Sequence, residues 1–535
     1  MDKSPVIERQ NSTEQVPDIS TPEENNHSHK WQRISPIALI YFVLMLIKNI
    51  FGNIVYLAPA ILIGYNKFSE DPTFWLPFVY GFAGLIALSA ILSFYFFQYR
   101  LSNQQIEIRS GVFSKKYTNL PFSRIQNVEL SEPLYYRPFG YTCMQLDTAG
   151  SVKQEAKVVA LKKHFAEQLK HEILAAHQQP VSTDENNETD DDSVTAKVTT
   201  ADEEVLDRRN LDDLVIHGLT NNRVWIFIGG LAPFIDNISE KVGEWLLMFG
   251  FNVEQYFAFD GKSGWQIATA ALSLALLVMI PITIFSILGS IIAFHDFKLS
   301  KVGDRYIRRS GLFTKNEVTM RLSRLQMIVR QQDWLDVLLG RINLKFEQSN
   351  ANYQQAQPGQ LTNKIIVPSV TTKECQHLIN DAYPENNLEN IQYSPVSVRL
   401  FVRNVLLLLL PFTAFISALF IIKDKTDSLI FVAAAASFIC FLMYMSYRRW
   451  GYAKDDNFIY VRKGCLGVDY YCFPIYKVQQ TTFKQSWFLK RKQLCSVQFL
   501  LAAGAVNVPY VKQEDGLKLI DESLYEVEHS KRNWM

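Results

Sequence analysis

Long apolar runs alternate with mixed polar stretches along this chain, and the alternation occurs three times. Residues 37–47 continued by 50–64, then 75–97, 265–294, 400–422 and 429–445 are apolar over enough length, or nearly so, to cross about 30 Å of hydrocarbon as helices. A weaker run, 224–251, is interrupted by Asp236, Glu240, Lys241 and Glu244; it reads as a sixth span, with a helix lying in the membrane interface as the alternative. After each pair the period changes. Short alternating segments predict strands over 105–109, 305–309 and 458–462, over 141–147, 342–348 and 496–501, and over 157–160, 364–367 and 507–511. Each set closes on an amphipathic helix, 162–177, 372–382 or 514–528; in the first, Phe165, Leu169, Ile173 and Leu174 share a face. The prediction is a small rolled sheet plugged by its final helix.

The three sets are copies of one unit. Arg109-Ser110-Gly111-Val112-Phe113 recurs 200 residues on as Arg309-Ser310-Gly311-Leu312-Phe313, and 153 further as Arg462-Lys463-Gly464-Cys465-Leu466. In the same register Ser123-Arg124-Ile125-Gln126 matches Ser323-Arg324-Leu325-Gln326 and Tyr476-Lys477-Val478-Gln479, and Phe139-Gly140 matches Leu339-Gly340. Ungapped matches of this length identify an internal repeat. Residues 180–206, with the run DENNETDDDS, bury too little to offset ordering and read as an acidic tether between the first two units.

Charge sets the orientation. Arg33, Arg100, Arg223, Lys298, Lys301, Arg399, Arg403, Arg448 and Arg449 border the spans at one set of ends, which the positive-inside rule places in the cytoplasm, together with both termini and all three soluble segments. The net charge of +1 over 535 residues, without a dense basic face, argues against nucleic acid as a partner. No P-loop, HExxH or GxSxG motif occurs, so nothing favours an enzyme, and no cofactor is expected. The six cysteines lack metal-ligand spacing; Cys465 and Cys472 are expected on strands, packed rather than reactive, and His164 and His171, seven apart on one helix, read as solvated.

The run RSGVFSKKYTNLPFSRIQNVELSEPLYYRPFGYTCMQLDTAGS, residues 109–151, resembles the bacterial pleckstrin-homology-like (PH-like) domain, with its turn glycine, S-R-I-Q segment and F-G-Y-x-x-x-x-L-D-T strand. Three such units with paired spans make the chain similar to YdbT-type membrane proteins. The resemblance implies a multi-pass α-helical membrane protein, six spans in three pairs, with three cytoplasmic PH-like β-roll or barrel domains each capped by a C-terminal helix. The expected layout is a disordered tail 1–30, span pairs 31–98, 208–297 and 395–447, PH-like domains 99–178, 298–384 and 448–530, and a flexible linker 179–207. It further implies the bacterial inner membrane, a smaller companion with one PH-like domain, and a link to envelope stress and tolerance of membrane-active peptides.

Candidate binding residues are Arg124, Gln126, Arg324, Gln326, Lys477 and Gln479: a cation and an amide two apart on a strand share one face and suit an anionic headgroup, a peptide backbone or the next domain. A basic residue that holds a loop of its own domain is the plainer role. Lys115, Lys116 and Lys315 suit a phosphoinositide-type site, but Val468 and Asp469 replace them in the third copy. Lys48 and Asn49 in the first span, with Asp236, Glu240 and Glu244 as partners in the third, read either as a substrate or proton path or as snorkelling side chains of a short span. The leading expectation is a non-catalytic scaffold in the lipid bilayer, self-associated or joined to the companion through strand edges; a transporter using the polar residues of spans 1 and 3 is the alternative.

Overall fold

A computed structural model describes residues 31–52, 72–102, 104–112, 114–148, 156–176, 203–220, 247–248, 264–348, 364–423, 426 and 429–529. The chain falls into two units, residues 1–123 and 124–535. In the first, β1 (Gln32–Arg33) precedes helices α1 (Ala38–Gly52) and α2 (Pro72–Phe96), which pack on each other. Then come β2 (Gln98–Ser102), β3 (Gln105–Ser110) and β4 (Lys116–Pro121), and the sheet runs β1-β2-β3-β4, all antiparallel. The strand before the helix pair thus joins the sheet after it, so residues 32–33, expected with the spans, belong to that sheet. Trp31 is held there beneath the guanidinium groups of Arg109 (4.2 Å) and Arg100 (4.8 Å).

The second unit repeats this order. It begins with β5 (Ile125–Pro133), β6 (Tyr141–Thr148), β7 (Ala156–Lys162) and α3 (Lys163–Ala176). Next are β8 (Glu204–Arg208), α4 (Leu211–Thr220), α5 (Gly264–Phe294), β9 (Lys298–Val302), β10 (Arg305–Ser310) and β11 (Thr314–Arg321). These are followed by β12 (Leu325–Gln332), α6 (Trp334–Leu339), β13 (Ile342–Gln348), β14 (Lys364–Val370) and α7 (Thr372–Ala382). The last set is β15 (Ser394–Pro395), α8 (Arg399–Ile422), α9 (Leu429–Arg449), β16 (Gly451–Lys454), β17 (Phe458–Lys463), β18 (Val468–Pro474), β19 (Val478–Lys484), α10 (Trp487–Lys490), β20 (Leu494–Leu501), β21 (Gly504–Lys512) and α11 (Gln513–His529).

Why glycine recurs between the third and fourth strands of each set is a matter of space. A Cβ on Gly111, Gly311 or Gly464 would lie 2.0 to 2.1 Å from a carbonyl oxygen three residues on, and Gly111 and Gly311 have φ of +101° and +118°. The final helices close the cores as their amphipathic faces predict. Tyr306, Val318 and Met320 face Leu344, Phe346 and Ile365, with Cys375, Leu378 and Ile379 of α7 completing that cluster. Around Phe473 and Phe499, Leu519 and Ile520 of α11 play the same part. A capping box, Thr371 with Glu374, starts α7.

Among the described residues three helices are long and apolar enough to cross a membrane: Leu76–Phe96, Arg399–Ile422 and Leu429–Arg449. Shorter apolar helices run over Ala38–Lys48 and Met279–Phe294. The expected third span, 224–251, lies almost wholly outside the described residues, as does most of the expected linker. The linker's end is a correction: β8 pairs with β9, and Glu203 accepts from Lys298 Nζ (2.8 Å) and Arg309 Nη1 (2.5 Å), which pull its carboxyl down to about 2. Residues 211–220, expected within a span pair, form a helix that also packs on the second repeat's sheet. Their helix α4 crosses α5 so closely that a Cβ on Gly218 would sit 2.5 Å from Ile287 Cα. Ser286 and Ser290 Oγ donate to the carbonyls of Gly218 (2.7 Å) and Leu214 (2.9 Å), while His217 Nδ1 lies 2.8 Å from Asn343 Oδ1.

Candidate functional site

Sheets in the second unit do not end where the repeats end. One seven-stranded sheet runs β7-β6-β5-β11-β10-β9-β8 and another β14-β13-β12-β18-β17-β16-β15, so the fifth strand of one repeat pairs with the fourth strand of the next, twice. At the first junction Glu132 opposes Lys315, Ser131 opposes Asn316 and Leu130 opposes Glu317. At the second Gln332 opposes Val468, Gln331 opposes Asp469 and Arg330 opposes Tyr470. Shifting by the repeat offsets of 200 and 153 turns one set of pairs into the other, so the two registers are the same.

The candidate cation and amide positions flank the start of each fifth strand, but not on one strand face as expected. Arg124, Arg324 and Lys477 each end a single 3-10 turn before the fifth strand. Gln126, Gln326 and Gln479 each occupy the position skipped where the ladder shifts register, between Ile125 and Asn127, Leu325 and Met327, and Val478 and Gln480. A bulge residue is turned out of the strict alternation that the sequence argument assumed. Gln326 is buried and Gln479 exposed. Arg124 is exposed, Arg324 half-buried, and Lys477 is 1% exposed.

Lys477 reaches across the second junction. Its Nζ donates to the carbonyl of Ser323 (2.8 Å) and to that of Leu325, which tie it to the 3-10 turn of the preceding repeat. Burial lowers its pKa to about 8. A cation used in this way clamps two repeats together. The loop it holds belongs to its neighbour.

The first junction carries charge of its own. Lys170 on α3 forms an ion pair with Glu317 on β11, and Arg309 Nε donates to the same carboxylate at 2.8 Å. Burial would push Glu317 up, yet the two cations together hold it below the ordinary carboxylate value. Arg308, 2% exposed, has its guanidinium pKa lowered by burial and supported by the charge of Glu129 on β5. Beside this junction a buried network ties α4 to the second repeat. Arg209 Nε donates to Asp207 Oδ2 (2.8 Å) and its Nη1 to Glu374 Oε2 (3.0 Å), while Arg341 Nη1 donates to Asp213 Oδ1 (2.9 Å) and the Ser369 carbonyl (3.1 Å). Asn343 Nδ2 donates to Asp336 Oδ2 at 2.9 Å, and burial raises the Asp336 carboxyl above its usual range. The acid-rich start of α4 was the one sequence sign of this network.

Other candidates fall elsewhere. Lys315 stands opposite Glu132 in the β5–β11 register, and Lys115, Lys116 and Lys315 are all exposed. Lys48 is exposed on α1, and Asn49 lies on the same helix; Asp236, with Glu240 and Glu244, lies outside the described residues. His164 and His171 are exposed on α3, and no group of three metal-ligating side chains occurs among the described residues. Cys465 sits in the β17–β18 turn rather than on a strand, its Sγ 3.4 Å from the Leu442 carbonyl; Cys472 is buried on β18.

The family model described as Bacterial PH domain matches residues 43–177 and 405–527. The transmembrane protein YdbT of Bacillus subtilis (strain 168) is 25% identical over 378 residues, 67% of this chain and 70% of that protein. The chain is therefore a membrane protein with bacterial PH domains that resembles the YdbT-type transmembrane proteins.

Proposed function

We propose that this protein is a non-catalytic scaffold of the bacterial inner membrane, with six spans in three pairs and three PH-like domains on the cytoplasmic side that join one another by their strand edges. The observation that carries the reading is the doubled junction: two seven-stranded sheets cross repeat boundaries in one register, with Lys477 clamping the second. A surface already committed to joining PH-like units is suited to assembly, and main-chain pairing supplies affinity without a dedicated ligand pocket. Basic residues at one set of span ends support the orientation. The physiological setting we propose, envelope stress and tolerance of membrane-active peptides, follows from the YdbT-type resemblance.

The test is cross-linking of the tagged protein in its native membrane, followed by mass spectrometry of the purified complex and a measurement of its mass. A defined oligomer, or a second PH-domain membrane protein at fixed stoichiometry, is the expected result. A monodisperse monomer without partners rejects the scaffold.

A further inference from the structure

Two fourth-strand edges inside the chain are covered by fifth strands of the preceding repeat, which leaves one of each kind over. β4 ends its sheet on one side, and β19 ends the sheet β19-β20-β21, neither with a second strand neighbour among the described residues. Burial along them differs from that of their covered counterparts. Met327, Ile328 and Val329 on β12 are 2%, 0% and 4% exposed, whereas at the equivalent positions of β19 Gln480 is exposed and Thr481 and Thr482 are half-buried. Further along, Phe483 is 37% exposed, and Tyr117 on β4 is 60% exposed.

We propose that β19 of one copy pairs antiparallel with β4 of a second copy, in the register of the two internal junctions, so that copies join head to tail. The inference rests on the scaffold reading and specifies its partner and surface. Carrying the internal register forward by the same offsets places Thr481 opposite Asn119, Thr482 opposite Thr118, Phe483 opposite Tyr117 and Lys484 opposite Lys116. Threonine pairs and aromatic pairs are among the favourable cross-strand neighbours, and the two exposed rings would cover each other. The lysine pair opposes, but Lys484 Nζ is already turned to Gln498 Oε1 on its own sheet at 2.6 Å. Two favourable pairs against one screened repulsion favour association. A lysine at each end also limits the edges to partners that satisfy the rest of the register.

A second feature of the internal junction recurs in this pairing. Arg124, exposed, is the repeat equivalent of Lys477. In the head-to-tail contact it meets the 3-10 turn of the neighbouring copy, whose carbonyls at Tyr476 and Val478 correspond to those of Ser323 and Leu325 that Lys477 binds. Because the two surfaces differ, the contact is heterologous: it closes into a ring if the rotation between copies allows and otherwise extends along the membrane.

The experiment uses the full chain in membranes, with two differently tagged copies expressed together, one carrying Tyr117→Cys and the other Phe483→Cys. Mild oxidation is expected to give a species of twice the chain mass containing both tags. It should be absent from the wild type, whose own six cysteines serve as the control, and from the out-of-register combination of Tyr117→Cys with Lys484→Cys. Equal cross-linking out of register, or none in register while the purified protein remains an oligomer, overturns the pairing and leaves the scaffold reading standing. A monomer under all conditions overturns both. Lys484→Glu gives an independent check that leaves the apolar core untouched: it turns the repulsive pair attractive and should increase assembly severalfold. A loss of assembly on that change overturns a second copy as the occupant, since it is the behaviour of an edge that receives an acidic strand from another protein.

Discussion

The junction between the first and second repeats and that between the second and third use one register but different chemistry. At the first, Glu129 and Arg308 are both buried, and Lys170, Arg309 and Glu317 form ion pairs around them. At the second the corresponding positions are Val329 and Val461, 4% and 0% exposed, packed with Met327, Ile459 and Phe473 in one apolar cluster. Backbone pairing sets the geometry in both places. Side chains then decide how strongly, and how selectively, each edge is filled. A buried charge rejects partners that lack its complement, whereas an apolar seam accepts what fits its shape.

This contrast is most exposed to test at Glu129. Glu129→Ala removes the carboxylate that supports the buried Arg308 guanidinium and should cost about 3–5 kcal/mol, seen as a large fall in unfolding temperature of the detergent-extracted protein. The paired change Glu129→Val with Arg308→Val writes the second junction's chemistry into the first. It should recover part of that loss, falling short of the wild type by about 1–3 kcal/mol, because the apolar pair carries no desolvation penalty but leaves the buried Gln145 amide without the carboxylate to which it donates at 3.0 Å. A double variant as unstable as the single one would refute the pairing of the two charges.

The second junction is tested by shape. A Cβ on Gly467 would lie 2.3 Å from the Gln332 carbonyl oxygen and 2.8 Å from Asp333 Cα, so the β17–β18 turn passes directly over the end of β12. Gly467→Ala should therefore cost about 2–3 kcal/mol, by overpacking against backbone that cannot yield. Protection of the β12 and β18 amides from hydrogen exchange should fall together, while that of β5 and β11 is kept.

Much of each repeat was legible locally. The hairpin at Gly111, Gly311 and Gly464, the strands 342–348 and the helix 372–382 follow from turn chemistry and period, and the structure has them at or within a few residues of those bounds. Even Gln493, standing where the other copies have Gly140 and Gly340, adopts the left-handed conformation at φ of 52°, so the fold imposes that turn without its usual residue. The junctions were not legible. Glu132 and Lys315 lie far apart in sequence, and no local pattern says that a strand is completed by the next repeat rather than its own. Two-residue strands such as β1 and β15 are too short to show a period, and the bulges at Gln326 and Gln479 break the alternation on which a shared face was inferred.

Lys477 gives the smallest effect and the most specific one, because its buried ammonium reaches into the turn of the preceding repeat. Burial sets its pKa at about 8, against an ordinary value of 10.5. Between those values the unfolded chain binds more protons than the folded one. The contribution of Lys477 is therefore least favourable below pH 8, where a buried charge must be kept, and improves as pH rises toward 10.5. Lys477→Met removes this dependence together with the two bonds to the Ser323 and Leu325 carbonyls. Unfolding temperatures of wild type and variant, measured at steps from pH 7 to 10.5, should diverge in the wild type's favour by on the order of 1 kcal/mol across the window, other titrations cancelling in the difference. A constant difference would mean that Lys477 keeps its proton throughout and that the carbonyl pair solvates the ammonium as well as water does.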